Sequence, residues 1–310
     1  MKSFPLTCPC KLKCSLTQSG NHYLCDSKDC VHNKKENAFG CFGSIPILIS
    51  SSRTDTVCSE LADVSYVERP LAKFIGLKKI VLGESDITQK SCEKFVSKIL
   101  ENNVNPKVLV IGGGEQGFGT DKLWSDNRIE IHSVDIYASD YVDIICDAHY
   151  LPLKSAYYDG VWIQAVLEHV VEPIVVVDEI HRVLKHEGIV YAETPFMQQV
   201  HEGRYDFTRY TVLGHRYLFK RFKLLDIGGN QGSELVLAWS FRYLVWALFR
   251  NRQVARVIGI LVGLLLRPLA FFTSKKAMYD SSSTVFFLGV KSDDEPITHK
   301  ELIRLYKGNL

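Results

Sequence analysis

Apolar positions along this chain gather into short unbroken runs, separated by polar loops and amphipathic stretches. Val108–Ile111 is such a run, closed by glycines, and reads as a strand buried on both faces of a parallel sheet. Ile129–Val134, Val142–Ile145, Gly160–Ile163 and Ile189–Ala192 repeat the pattern. Between the last two, Ile174–Leu184 places Ile174, Val177, Ile180, Val183 and Leu184 along one side of a helix, which His186-Glu187-Gly188 should stop. An earlier helix over about Asp86–Glu101 has Phe95, Val96, Ile99 and Leu100 at core-facing spacing, and Phe222–Ile227 and Thr284–Val290 are later strands. The alternation predicts an α/β fold with a largely parallel sheet covered on both faces.

Flanking this core are three segments of other character. Residues 1–50 are cysteine-dense and end in the apolar run Ile45-Pro46-Ile47-Leu48-Ile49. Residues 51–84 show no period and read as a linker, so that 51–105 comprises linker and first helix, with the core over 106–233. Residues 234–279 form an apolar, basic insertion ahead of the last strand and tail at 280–310.

Composition adds two constraints. A chain of 310 residues, 46% hydrophobic and 23% charged, is globular and holds one α/β domain with additions. The net charge of +2 gives no reason to expect nucleic-acid binding. That small total conceals an asymmetry: Leu235–Tyr279 carries seven Lys/Arg and no Asp or Glu. Met1–Leu16 lacks the apolar core of a secretory signal, so a cytoplasmic location with reduced thiols is expected. Six of the nine cysteines precede Phe42, and such clustering in a reducing compartment points to metal rather than disulfides.

The first strand runs into Gly112-Gly113-Gly114-Glu115-Gln116-Gly117-Phe118-Gly119. A glycine-rich turn at a strand end lets a ligand approach the backbone, and Asp135 at the end of the next strand suits ribose hydroxyls. Gly112, Gly114 and Gly117 also satisfy the dinucleotide fingerprint, so this loop alone leaves NAD and S-adenosylmethionine both open.

The following segments are more specific. Asp147-Ala148-His149-Tyr150-Leu151-Pro152, then Tyr158-Asp159-Gly160-Val161, Leu167-Glu168-His169-Val170 and His181-Arg182-Val183-Leu184-Lys185-His186-Glu187-Gly188 occur in order. This succession resembles the class I S-adenosylmethionine-dependent methyltransferases, in their methyltransferase domain 11 branch, over about Lys107–Gly229. The resemblance implies a Rossmann-like sheet and a methyl transfer to an acceptor still unidentified. It also implies that Gly112 and Gly114 lie along the methionine portion of the cofactor and that Asp135 holds its ribose. Asp147 would take the adenine amino group with Ala148 beside the ring, and Gln164 would face the pocket. The chain departs from the family at Val110, where an acidic residue is usual. A binding protein of methyltransferase shape without activity, and an NAD-dependent oxidoreductase, are the rival readings.

Methyl transfer from a sulfonium needs alignment and, for some acceptors, removal of a proton. Thr194–Tyr210 follows the fifth strand and resembles a sub-branch motif spanning His201, Tyr205, Asp206, Phe207 and Arg209. His201 is the candidate base, Asp206 its orienting partner and Arg209 a holder of an anionic acceptor group; the plainer alternative pairs Asp206 with Arg209 as a brace. Within 1–50, Cys8, Cys10, Cys25 and Cys30 sit on two turns as C-x-C and C-x4-C, a set that can converge on structural Zn²⁺. Cys14, His32 and Cys41 are reserve ligands, and the segment resembles short zinc ribbons found ahead of some bacterial methyltransferases.

Leu235–Phe249 and Val254–Phe272 are helix candidates in the insertion. The longest uncharged apolar run, Val257–Leu266, is ten residues, well short of the roughly 20 that span a bilayer. The basic, aromatic pair instead suits peripheral contact with the inner face of a membrane, a lid, or a homodimer face. A membrane surface would fit a glycan or lipid-linked acceptor.

Overall fold

The computed structural model describes residues 4–10, 13–50 and 86–308. The expected linker at 51–84 lies outside the described residues. At the N-terminus β1 (Leu16–Ser19) and β2 (His22–Cys25) form a hairpin, and β3 (Cys41–Phe42) pairs with β4 (Ile45–Pro46). The core comprises α1 (Asp86–Asn102), β5 (Lys107–Ile111), α2 (Asp121–Ser125), β6 (Glu130–Asp135), β7 (Ile144–Ile145), β8 (Tyr158–Gln164), α3 (Pro173–Val183) and β9 (Leu184–Pro195). It continues with α4 (Val212–Leu218), β10 (Phe222–Asn230), α5 (Ser233–Phe249), α6 (Arg252–Leu266), α7 (Lys275–Ser281), β11 (Thr284–Lys291) and α8 (His299–Arg304).

Seven strands make one sheet in the order β10-β11-β9-β8-β5-β6-β7. The five strands from β5 to β9 pair in parallel, while β11 slots antiparallel between β9 and β10. The chain winds outward from β5 through β6 to β7, then returns to β8 on the other side of β5. That reversal opens a crevice beyond the carboxyl ends of β5 and β8, the position where such sheets bind ligands.

The parallel strands are buried on both faces, as their unbroken apolar runs require: Val108, Leu109, Val161 and Ile163 are inaccessible or nearly so. Two details differ from expectation. α3 ends at Val183, and Lys185–Gly188 is an excursion inside β9, with Leu184 opposite Tyr158 and Ile189 opposite Gly160. Glu187 adopts φ +64° there, so the His-Glu-Gly turn interrupts a strand and does not cap the helix. On α3, Pro173, Val176, Val177, Ile180 and Val183 face the core, and Ile174 is exposed.

The cysteine-rich segment is joined to the core. Ile47 bridges Ile145 in parallel, Leu48 N donates to Ile145 O at 2.8 Å, and Ile45, Ile47 and Ile49 pack on Ala138, Val142 and Ile145. The segment thereby covers the edge left open by two-residue β7. At its other end, Thr7 N donates to Pro152 O and Lys154 N to Pro5 O, while Lys13 Nζ reaches Glu179 at 3.0 Å.

Candidate functional site

Four loops meet in the crevice. Gly112 has φ +75°, a conformation that favours glycine, and a Cβ there would stand 2.1 Å from Val166 of the loop after β8. A Cβ on Gly114 would meet the Tyr137 hydroxyl at 2.3 Å. The glycines are therefore needed for the close approach of the β5, β6 and β8 loops. Asp135 fixes this arrangement, its carboxylate accepting from Gly114 N at 2.9 Å and from Ile136 N at 2.7 Å. Gln164, at the end of β8, takes a hydrogen bond from Trp162 Nε1 at 3.3 Å and donates to Phe118 O at 3.4 Å. It ties the glycine loop to the strand end.

Asp147 lies just beyond β7 and caps the short turn Ala148–Tyr150. Its Oδ1 accepts from His149 N at 2.9 Å and contacts His149 Nδ1 at 2.6 Å, whereas Oδ2 is buried without a hydrogen-bond partner among the described residues. A buried acceptor of this kind is costly unless a donor fills it, and an exocyclic amine is such a donor. Ala148 is buried beside it. Gly112, Gly114, Asp135, Asp147, Ala148 and Gln164 thus come together at the carboxyl ends of adjacent strands, and their chemistry fits an adenosine-bearing cofactor.

On the β8–β9 side, residues 201–209 fold back over the loop that follows β8. Phe207 N donates to Glu168 O at 2.8 Å and Thr208 Oγ1 to Leu167 O at 3.3 Å. Asp206 pairs with both terminal nitrogens of Arg209, accepts from His201 N at 2.9 Å and lies 3.3 Å from His201 Nδ1. Burial raises its carboxyl, but the Arg209 and His201 contacts outweigh this and hold it below the ordinary carboxylate range. Arg209 spends its remaining donors on the carbonyls of Gln198, Gln199 and Thr208. The expectation that Arg209 grips an anionic acceptor is corrected: all its donors brace the loop, as the plainer alternative had it. Asp206 both braces and contacts His201.

Sequence reasoning underweighted Glu168, which could equally have been helix-start packing. Its side chain is inaccessible, and neither carboxylate oxygen has a hydrogen-bond partner among the described residues. Burial pushes this carboxyl up to about 8. His169 Nε2 and His201 Nε2 lie 3.6 and 3.9 Å from its Oε1. A second unforeseen group is Glu193 near the end of β9, buried but satisfied by Thr88, Tyr191, Asn230 and Thr284 at 2.6–3.1 Å. That network pins the start of α1 to the sheet.

In the N-terminal segment, the thiols of Cys8, Cys10, Cys25 and Cys30 lie within 4.8 Å of one another, with Cys8 Sγ 3.8 Å from Cys30 Sγ. Burial pushes the Cys25 thiol up to about 12 and the Cys8 thiol higher still, a cost that a cation among four thiolates would remove. His32 uses both ring nitrogens, toward Asn37 O and Ser50 Oγ, each at 2.8 Å. Cys14 and Cys41 stand outside the cluster.

Residues 109–192 match the family described as a methyltransferase domain. No curated protein matches the chain by sequence. Among solved structures, the chain is similar to a SAM-dependent methyltransferase from Archaeoglobus fulgidus, at 15% identity and TM-score 0.43, covering 71% of this chain and 100% of that one. It is similar to Haemonchus contortus phosphoethanolamine N-methyltransferase 2 in complex with S-adenosyl-L-methionine, at 16% identity and TM-score 0.42, covering 71% and 57%. It is also similar to geranyl diphosphate C-methyltransferase from Streptomyces coelicolor A3(2), at 13% identity and TM-score 0.42, covering 74% and 91%. Likeness at this level is architectural and assigns no acceptor. The chain has the Rossmann-like class I methyltransferase fold. The methyltransferase-domain match at 109–192 supports an S-adenosylmethionine-dependent methyltransferase activity.

Proposed function

We propose that this enzyme methylates a glycan or lipid-linked intermediate presented at the cytoplasmic face of a membrane, and that its N-terminal cysteines hold a structural zinc ion. The acceptor reading rests on one juxtaposition. The apolar α5 lies directly against the loop that carries His201: Tyr243 Oη donates to Val200 O at 2.5 Å and Gln199 Nε2 to Ser240 Oγ at 3.0 Å. An apolar hairpin touching the acceptor side of the crevice would bring a membrane-borne substrate to the reacting groups. The same contact suits a lid, which would leave the enzyme indifferent to lipid.

When bound, S-adenosylmethionine supplies a methyl group on an electrophilic sulfonium. The chain's own part is to hold it: Asp147 toward the adenine amine, Asp135 toward the ribose, and the glycine loop along the methionine portion. His201, held by Asp206, would accept a proton from the acceptor.

Asp147→Ala should weaken S-adenosylhomocysteine binding by about 1–3 kcal/mol, the usual cost of an unmade buried hydrogen bond. Asp135→Ala should cost at least as much, because it also frees the Gly114 N–H that orders the loop. Calorimetry on folded variants measures both. Affinity equal to wild type in each would place the cofactor elsewhere. Untargeted product profiling with lipid and glycan extracts identifies the acceptor; methylation confined to soluble small molecules would overturn the membrane reading.

A further inference from the structure

Around Glu168 the structure holds an arrangement that cofactor binding does not explain. Glu168, His169 and His201 each bring one ligand atom within 4.8 Å of the others, and the two Nε2 atoms lie 3.6 and 3.9 Å from Glu168 Oε1. Each imidazole is oriented from behind. His169 Nδ1 lies 2.7 Å from Tyr205 O, and a carbonyl can only accept, so Nδ1 carries the proton and Nε2 presents its lone pair. His201 Nδ1 faces the Asp206 carboxylate at 3.3 Å, which likewise favours a proton on that nitrogen. Two imidazoles with Nδ1–H held by a carbonyl and a carboxylate, and with Nε2 aimed at a common point, are disposed as metal ligands are.

Glu168 supplies an independent observation. Its side chain is fully buried, aimed between the two imidazoles, and both oxygens lack hydrogen-bond partners among the described residues. A buried carboxylate without donors is unfavourable, and a bound cation would complete it in place of a proton. The distances are compatible. Nitrogen and oxygen ligands at roughly 2.0–2.2 Å from an ion in tetrahedral directions stand about 3.3–3.6 Å apart. The observed 3.6 and 3.9 Å separations from Oε1 need only slight closure, which the partly exposed His201 loop can provide.

We propose that Glu168, His169 and His201 bind a divalent first-row metal ion beside the cofactor crevice, and that its open coordination positions take a pair of neighbouring oxygens on the acceptor. Two imidazoles and one carboxylate suit such ions and leave positions for exogenous ligands. The cation would hold and acidify an acceptor hydroxyl, whose proton would pass to solvent water at the partly exposed His201 loop, so His201 would be a ligand in that state and not a free base. The substrate clause rests on the methyltransferase reading above; the metal clause does not. The four-thiolate cluster is a separate centre of different chemistry, since thiolates select zinc whereas Mn²⁺ prefers oxygen and imidazole.

The test uses full-length protein isolated with its zinc. Mn²⁺ and Ni²⁺ are titrated separately by calorimetry, with Mn²⁺ also followed by electron paramagnetic resonance, and S-adenosylhomocysteine binding is measured in the same preparation. At least one ion should bind once per chain. Glu168→Gln and His201→Ala should each weaken it by more than about tenfold, without loss of the zinc held by the cysteines. Because Glu168 is buried, circular dichroism checks its folding, and the loop variant His201→Ala provides the measurement if Glu168→Gln fails to fold. Failure of both ions to bind stoichiometrically, or a folded His201→Ala that binds as wild type does, overturns the site. If S-adenosylhomocysteine binds and the ions do not, the metal inference falls while the methyltransferase reading stands. If the ions bind and S-adenosylhomocysteine does not, the reverse holds.

Discussion

Replacing Cys25 with serine should strip the zinc proposed for the four thiolates and unfold residues 1–50. Apparent binding energies of structural zinc are about 10–16 kcal/mol, as large as the whole stability of a typical domain at about 5–15 kcal/mol. Losing one of four thiolates forfeits much of that energy, and the segment's own secondary structure adds little: its strands are two to four residues long. The consequences should spread into the enzyme. Cys8, Cys25, Phe39 and Leu48 belong to the same apolar core as Leu109, Val161 and Phe287. Thr7, Lys13 and Lys154 link the segment to the chain at 151–154, next to Asp147. The variant should therefore melt earlier, lose residues 1–50 to limited proteolysis and bind S-adenosylhomocysteine more weakly. Elemental analysis of wild type should find close to one tightly held zinc per chain. A metal-free wild type, isolated without chelators yet protease-resistant in this segment, would remove the zinc assignment.

The parts of this molecule that were legible in its sequence are those governed by local pattern. Parallel strands bury both faces, so β5, β8 and the middle of β9 appear as unbroken apolar runs. The glycine loop and Asp135 were legible as features of adjacent strand ends, where Gly114 N does donate to Asp135. The boundary between α3 and β9 was misplaced because His-Glu-Gly is compatible with a helix stop and with an excursion inside a strand; pairing of Leu184 with Tyr158 decides it, and that pairing is tertiary. Glu168 illustrates the same limit. Nothing within Leu167-Glu168-His169-Val170 says whether the carboxylate packs or reacts. Its meaning comes from His201, 33 residues away, delivered by a loop that Asp206 and Arg209 brace. Arg209 was misjudged for a related reason, since the carbonyls it satisfies are invisible in a motif.

The insertion shows how counting uncharged residues can mislead. Arg252–Phe272 is one helical stretch of 21 residues, long and apolar enough by length and composition to cross a membrane, although its longest uncharged run is ten. It pairs with α5 across a tight turn at Arg250 and Asn251. The seam is made of small residues and stems: Ala238, Val245 and Ala255 are buried, and a Cβ on Gly259 would press Arg242 at 2.8 Å. The outer surfaces stay apolar and bare. Among the described residues, just over half of the large exposed apolar side chains lie between Leu237 and Phe272, with Phe271 90% and Phe272 85% accessible. Charge decides the orientation. Arg242 and Arg256 stand within the two helices, and an arginine at the centre of a bilayer costs roughly 2.5–3.5 kcal/mol. Lying in the interface avoids that cost, with each cation near the surface gaining about 1 kcal/mol from anionic headgroups. The guanidiniums of Arg242 and Arg252 rest on Trp239 and Trp246, a pairing that would suit the headgroup level of the proposed membrane surface.

Full-length protein should accordingly co-sediment with anionic liposomes at low salt, bind neutral ones less, and partly release as salt screens the attraction. Extraction by salt would also separate interfacial attachment from a spanning hairpin, which salt cannot dislodge. The decisive variant deletes residues 236–272. Thr273 Oγ1 donates to Glu234 Oε2 at 3.3 Å, so the two ends meet and a short Gly-Ser bridge closes the gap. The cut must stop there, because Tyr279 on α7 is buried against Val212 and Val285 and belongs to the core. This deletion should abolish sedimentation and leave S-adenosylhomocysteine affinity near wild type. It should also remove methylation of a lipid-linked acceptor while sparing any soluble fragment of it. Should intact protein ignore liposomes and run as a tight dimer that the deletion makes monomeric, the bare apolar surface is instead the contact between two copies of the chain.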